Sequence, residues 1–173
     1  MNKIEEILKS KLKPKEKVSA LVKAVGQKEV SAKEFIDFFK EASNVEKGTC
    51  ADVMKHVSKD NPEILGPYIH DLIEYINYDT PRVKWGVAEA IGNLSEKYPQ
   101  EVEEAIPKLL KNVKEDSTVI RWCAAYALTE IVKNNPKTRK QLIPLFEEIS
   151  KTEQNNGVKN VYQKVLKLLD KGG

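Results

Sequence analysis

The sequence predicts an all-α fold, an α-solenoid of antiparallel helix pairs with about ten helices in one domain over residues 1–173. Three observations predict it. First, residues 83–94 (V-K-W-G-V-A-E-A-I-G-N-L) are echoed by residues 120–131 (I-R-W-C-A-A-Y-A-L-T-E-I), so that Trp85 falls on Trp122, Ala88 on Ala125 and Ala90 on Ala127 at an offset of 37 residues. A fixed period in the range of about 20–50 residues marks stacked supersecondary units. Second, Pro62, Pro99 and Pro136 stand at the same 37-residue spacing. Proline suits the first turn of a helix and cannot continue one. Third, apolar residues recur at helical spacing between these marks, and no alternating strand pattern occurs.

Taken in order, residues 2–12 form a short amphipathic helix through Ile4, Ile7 and Leu8, closed by Pro14. Pro14 opens a second helix with the stripe Val18, Leu21, Val22 and Val25, ended by Gly26. Ser31 and Glu34 have the capping-box spacing, a hydroxyl at the cap and a carboxylate three residues on. Phe35, Ile36, Phe38 and Phe39 follow, a patch expected to join the N-terminal helices of residues 1–43 to the repeats of residues 44–171. Asn44 is a cap candidate for the next helix, which carries Gly48 inside it. From Pro62 on, each unit has a second proline (Pro67, Pro107, Pro144) at its first apolar stripe, then a polar turn. Those turns are Asp79-Thr80-Pro81, Asp116-Ser117-Thr118 and Glu153-Gln154-Asn155-Asn156, with Asp79 and Asp116 as cap candidates. The last stripe runs from Val158 to Leu169 and closes at Gly172-Gly173.

Composition sets the limits. The chain is 40% hydrophobic and 32% charged, with a net charge of +3, which is too mild to imply nucleic acid by itself. Its acidic start, Met1-Asn2-Lys3-Ile4-Glu5-Glu6, is unlike a signal peptide, and no apolar run reaches the roughly 18 residues of a membrane span. The expectation is a cytoplasmic protein without membrane association. Cys50 and Cys123 form no metal-type pair and read as small buried side chains in a reducing compartment.

The unit from Asp116 to Ile131, with its V-I-R, its Ala124-Ala125 and its Ala127-Leu128, resembles a HEAT repeat of the PBS-lyase type. Residues 79–94 are similar more loosely, with Lys84 at the basic position, and residues 42–57 and 153–169 more loosely still. The resemblance implies a superhelix in which Asp116 with Arg121, and Asp79 with Lys84, join a ladder of hydrogen bonds between successive units. It says little of function, because one fold hosts many roles.

A helical wheel sorts the second helix of each unit. Val83, Val87, Ala90, Ile91 and Leu94 fall on the core side. Trp85, Glu89 and Asn93 fall opposite, and the register continues that strip to Trp122, Tyr126 and Glu130, back to Gly48, Asp52 and His56, and on to Asn160, Lys164 and Lys167. In the resembled family these helices line the concave surface. That implies a groove for a protein or peptide partner built from Trp85, Glu89, Asn93, Trp122, Tyr126 and Glu130. Tryptophan and tyrosine are frequent interface anchors. The same two indoles can instead wedge between neighbouring helices, and both readings stand at this point.

The alternative partner is nucleic acid. Lys9, Lys11, Lys13, Lys15 and Lys17 alternate across Pro14, and residues 1–40 hold ten Lys against six acids. Such a run can grip phosphates or be a solvated helix surface. Groove tryptophans with Lys-rich ends are also similar to the HEAT-like alkylpurine DNA glycosylases, although no catalytic Asp corresponds residue by residue. His56 and His70 belong to no metal or nucleophile motif, and no phosphate-binding glycine loop occurs. The expectation is a non-enzymatic scaffold without cofactor or metal.

Overall fold

The computed structural model describes residues 1–172; Gly173, half of the expected closing pair, lies outside the described residues. The helices are α1 (Lys3–Lys9), α2 (Pro14–Gly26), α3 (Ala32–Glu41), α4 (Asn44–Asp60), α5 (Pro62–Leu65), α6 (Ile69–Ile73), α7 (Pro81–Leu94), α8 (Ile106–Asn112), α9 (Thr118–Asn134), α10 (Arg139–Thr152) and α11 (Asn156–Gly172). The 3-10 turn Gly66–Tyr68 joins α5 to α6 as one rod, so the described residues form the ten rods read from the sequence. Two more 3-10 turns, Glu101–Ala105 and Pro136–Thr138, lead into α8 and α10. The second prolines explain the first two interruptions. Pro67 lies within its 3-10 turn, and Pro107 stands just inside α8, where no intrahelical N–H is needed. Pro144 is carried inside α10.

The rods stack in two layers. In one, α2, α4, α7, α9 and α11 lie side by side. In the other, α3 packs on α4, α6 on α7, α8 on α9 and α10 on α11. The layers bury the stripes read from the sequence. Val83, Val87, Ala90, Ile91 and Leu94 are fully buried, as are Ala124, Ala125, Ala127 and Leu128 one unit on. Small residues let the first layer close tightly. A Cβ on Gly86 would stand 2.5 Å from the Ala51 carbonyl oxygen on α4, and one on Gly92 would stand 2.7 Å from the Tyr126 ring on α9. Helix backbones this close leave no room for a methyl group.

The aromatic patch of α3 is inside. Phe35, Ile36 and Phe39 are buried, and Phe39 meets Tyr75 edge-on with ring centroids 4.6 Å apart. Tyr75 follows α6, so this contact ties the N-terminal helices to the first strongly periodic unit. The capping box at Ser31 and Glu34 forms as expected, the Glu34 amide donating to Ser31 Oγ and the Ser31 amide to the Glu34 carboxylate.

Local details differ from expectation at several helix ends. Ser43, not Asn44, caps α4, because Glu46 completes a second capping box with it. Thr80 and Ser117, not Asp79 and Asp116, stand at the N-caps of α7 and α9. The Ile120 amide donates to Ser117 Oγ, so the hydroxyl does what the carboxylate was expected to do. Gly26 ends α2 without turning left-handed; Lys28, at φ 63°, takes the left-handed position two residues on. The first helix is also shorter than residues 2–12, ending at Lys9.

Candidate aromatic groove

Three helices of the first layer build a depression of about 380 Å³. Gly48, Asp52 and Lys55 come from α4, Arg82, Trp85, Gly86 and Glu89 from α7, and Val119, Trp122 and Cys123 from α9. The 37-residue register explains the meeting. Positions 48, 85 and 122 are equivalent, and in α4 that position is glycine, across which the Arg82 side chain lies.

The two tryptophans have different surroundings. Trp85 is half-buried against the hydrophobic core, with its Nε1 enclosed. It is the wedge between helices. Trp122 is 37% exposed and lies flat on Tyr126, ring centroids 5.7 Å apart and the planes 1° from parallel. Val119, one turn earlier, is 47% exposed beside it. An indole stacked on a fixed ring keeps little rotamer freedom for a ligand to remove.

The remaining groove residues divide. Glu89 lines the depression, with Lys55 Nζ 3.7 Å from its carboxylate and 3.4 Å from that of Asp52. Asn93 does not line the depression. Its amide donates to the Lys55 carbonyl and to Ser58 Oγ, and its Oδ1 accepts from the Tyr126 hydroxyl at 2.5 Å. Its hydrogen bonds stitch α4, α7 and α9 together. Glu130 lies outside the depression and pairs with Lys133 at 2.6 Å. Burial pushes the Tyr126 phenol up to about 12, with Glu130 and Glu89 adding to the shift, so its hydroxyl remains a donor to Asn93.

The sequence reading missed Arg82, Lys55 and Val119. Arg82 and Val119 each stand three residues before a groove tryptophan, one helical turn away, and that spacing was the available signal. Arg82 is exposed, lies across Gly48, and has no ion-pair partner among the described residues. Around the depression two carboxylates, Asp52 and Glu89, face two cations, Lys55 and Arg82. Cys123 also lines the depression. Burial, then the nearby Glu89, pushes its thiol up to about 12. Burial does the same to Cys50.

The basic residues expected to form an inter-unit ladder do reach across units, but to other carboxylates. Lys84 Nζ donates to Glu115 at 2.8 Å. Arg121 forks onto Glu153 through Nε and Nη2, both at 3.1 Å, while its Nη1 donates to the backbone carbonyls of Glu115 and Asp116. Asp79 and Asp116 supply no carboxylate to either cation. Lys84 and Arg121 each reach a carboxylate at the turn of the next unit, and Asp116 takes part through its backbone carbonyl alone. Burial raises the Glu153 carboxyl, but the Arg121 hydrogen bonds and the Asn155 and Gln154 amides outweigh it and hold the group below its usual range.

The N-terminal lysines sit elsewhere, at the corner of α1 and α2. Lys9, Lys11, Lys13 and Lys15 are exposed. Lys17 is not part of a free row, since its Nζ donates to the Leu8 carbonyl at 2.6 Å and closes the end of α1.

Residues 81–131 match the model of the HEAT-like repeat family. That segment holds α7, α8, most of α9 and both tryptophans. The fold is similar to that of a designed armadillo repeat protein at a TM-score of 0.68 and 18% identity, over 88% of this chain and 68% of the other. The fold is thus an α-solenoid, with a segment similar to a HEAT-like repeat near its middle. No curated protein matches it. No described helix is long and apolar enough to cross a membrane.

Proposed function

We propose that this protein is a non-enzymatic scaffold that binds a protein or peptide segment in the depression between α4, α7 and α9. The observation that carries the reading is the exposed Trp122, held flat on Tyr126 beside the exposed Val119. Apolar anchor surface at the centre and charged residues at the rim is the usual anatomy of an interface. The partner that fits is an amphipathic segment. An apolar side chain rests on Trp122 and Val119, and a carboxylate of the segment reaches Arg82. Balanced charge around the site favours a peptide over a nucleic acid, which needs a surplus of cations.

The experiment is a selection of displayed random peptides on the wild-type protein, followed by amide hydrogen exchange with an enriched peptide bound. Protection concentrated in the first turns of α4, α7 and α9 supports the reading. Protection at α1 and α2, with affinity that falls steeply with salt, points to the lysine corner instead.

A further inference from the structure

We infer that the partner segment crosses α4, α7 and α9 over their first turns, in extended form, with an acid flanked by apolar residues about three positions to either side. The inference rests on the reading above and adds the order of chemistry along that segment. Among the described residues seven large apolar side chains stand open to solvent, and three of them, Val45, Val119 and Trp122, belong to α4 and α9. The 37-residue register makes Val45, Arg82 and Val119 equivalent, each the second residue of its helix. Gly48, Trp85 and Trp122 follow one helical turn later.

The three helices lie side by side with α7 in the middle, so this row reads apolar, cationic, apolar across the layer. Val45 is 75% exposed and Val119 47%. The row is internal to the stack, since α2 packs on α4 and α11 on α9. Its Arg82 and Val119 also line the depression, while Val45 extends the apolar surface beyond it.

Charge selects the occupant. Lys55 already stands between the Asp52 and Glu89 carboxylates, at 3.4 and 3.7 Å. Arg82 reaches no carboxylate among the described residues, and its Nη1 would lie 3.4 Å from a Cβ on Gly48. Neither α7 nor α9 has an acid in its first turn, and the positive ends of both helix dipoles add to the preference for an anion. A carboxylate engages a guanidinium through two parallel hydrogen bonds, so the segment's central residue is an acid. Spacing selects the form. Packed helices stand about 8–10 Å apart. A polyproline-type segment brings every third side chain back to the same face after about 9 Å, one helix-to-helix step. A β-strand, alternating with a period of about two, turns its third neighbour away.

Displayed random peptides selected on the full chain test the inference. The enriched peptides are expected to share an acid with an apolar residue about three positions before it and another about three after it. A synthetic copy of one binds Arg82→Glu at least about tenfold more weakly, and replacing the peptide's acid with lysine restores the affinity. Val45→Gln, at an exposed position outside the depression, weakens binding at least about threefold. Enriched peptides without the acid overturn the inference, as do apolar and acidic positions spaced by about seven, the pattern of a bound helix. Peptides that need Trp122 but are indifferent to Arg82→Glu and Val45→Gln overturn this inference alone. A selection that enriches no peptide overturns both this inference and the reading it rests on.

Discussion

Trp122 and Tyr126 stack in parallel and offset one helical turn apart on α9, 5.7 Å between ring centroids, and Tyr126 is fixed in turn by its hydroxyl's hydrogen bond to Asn93 on α7. The exposed indole therefore rests on a platform that belongs to two helices. This separates the two tryptophans in consequence. Trp85→Ala removes a wedge packed on the core and is expected to cost about 2 kcal/mol or more of folding stability. Trp122→Ala removes a side chain already 37% exposed and is expected to cost about 1 kcal/mol or less. Urea unfolding of the two variants side by side checks the contrast.

The Arg121–Glu153 fork ties α9 to the turn before α11 and makes stability depend on pH. The Glu153 carboxyl is held below its ordinary value of 4.5 in the folded chain. A depressed carboxyl contributes stability above the unfolded value and loses it as pH falls through the folded one. Wild-type stability from this pair is therefore full at neutral pH and declines as the solution is acidified below about 4.5. Glu153→Gln is expected to be about 1–3 kcal/mol less stable at pH 7, because it leaves the Arg121 cation short of its partner. The same variant loses this part of the acid dependence. Thermal unfolding between pH 3 and 7 measures both.

Gly86→Ala tests the closeness of α4 and α7. Alanine improves helix propensity by about 1 kcal/mol over glycine. Here its methyl carbon would stand 2.5 Å from the Ala51 carbonyl oxygen, so helices must part and a net loss of about 2 kcal/mol or more is expected. Gly26→Ala is the control. Its nearest neighbour would be Asn61 Oδ1 at 3.7 Å, and a neutral or stabilising result is expected. Calorimetric midpoints of the pair decide the matter.

Both thiols are expected to be unreactive in the native state. Burial pushes Cys50 and Cys123 up to about 12, leaving almost no thiolate at pH 8. Titration with a chromogenic disulfide at pH 8 is expected to show negligible reaction in buffer and two equivalents in denaturant.

The repeat was legible because it is written twice in large residues. Trp85 and Trp122 set the register, and the buried stripes from Val83 to Leu94 and from Ala124 to Leu128 followed from helical spacing alone. The meeting of Gly48, Asp52, Trp85, Glu89 and Trp122 also followed from that register. What was not legible depends on reach rather than on position. Arg121 and Lys84 find their carboxylate partners, Glu153 and Glu115, in the next turn, because long cations extend further than one helical turn, while Arg121 also donates to the carbonyls of its own turn. The Asn93 side chain faces the groove side yet hydrogen-bonds three neighbours, which no single-helix wheel can show. Nor can a wheel say that Trp85 would be half-covered and Trp122 open, since equivalent positions in a stack meet different neighbours.

The central claim is that Trp122 anchors a bound segment. Its direct test is isothermal titration of a selected peptide against the wild type and Trp122→Ala, with chemical unfolding of both in parallel. The account predicts that affinity falls by at least about 2 kcal/mol, roughly thirtyfold, while stability changes by about 1 kcal/mol or less. Unchanged affinity in a folded Trp122→Ala protein would contradict it.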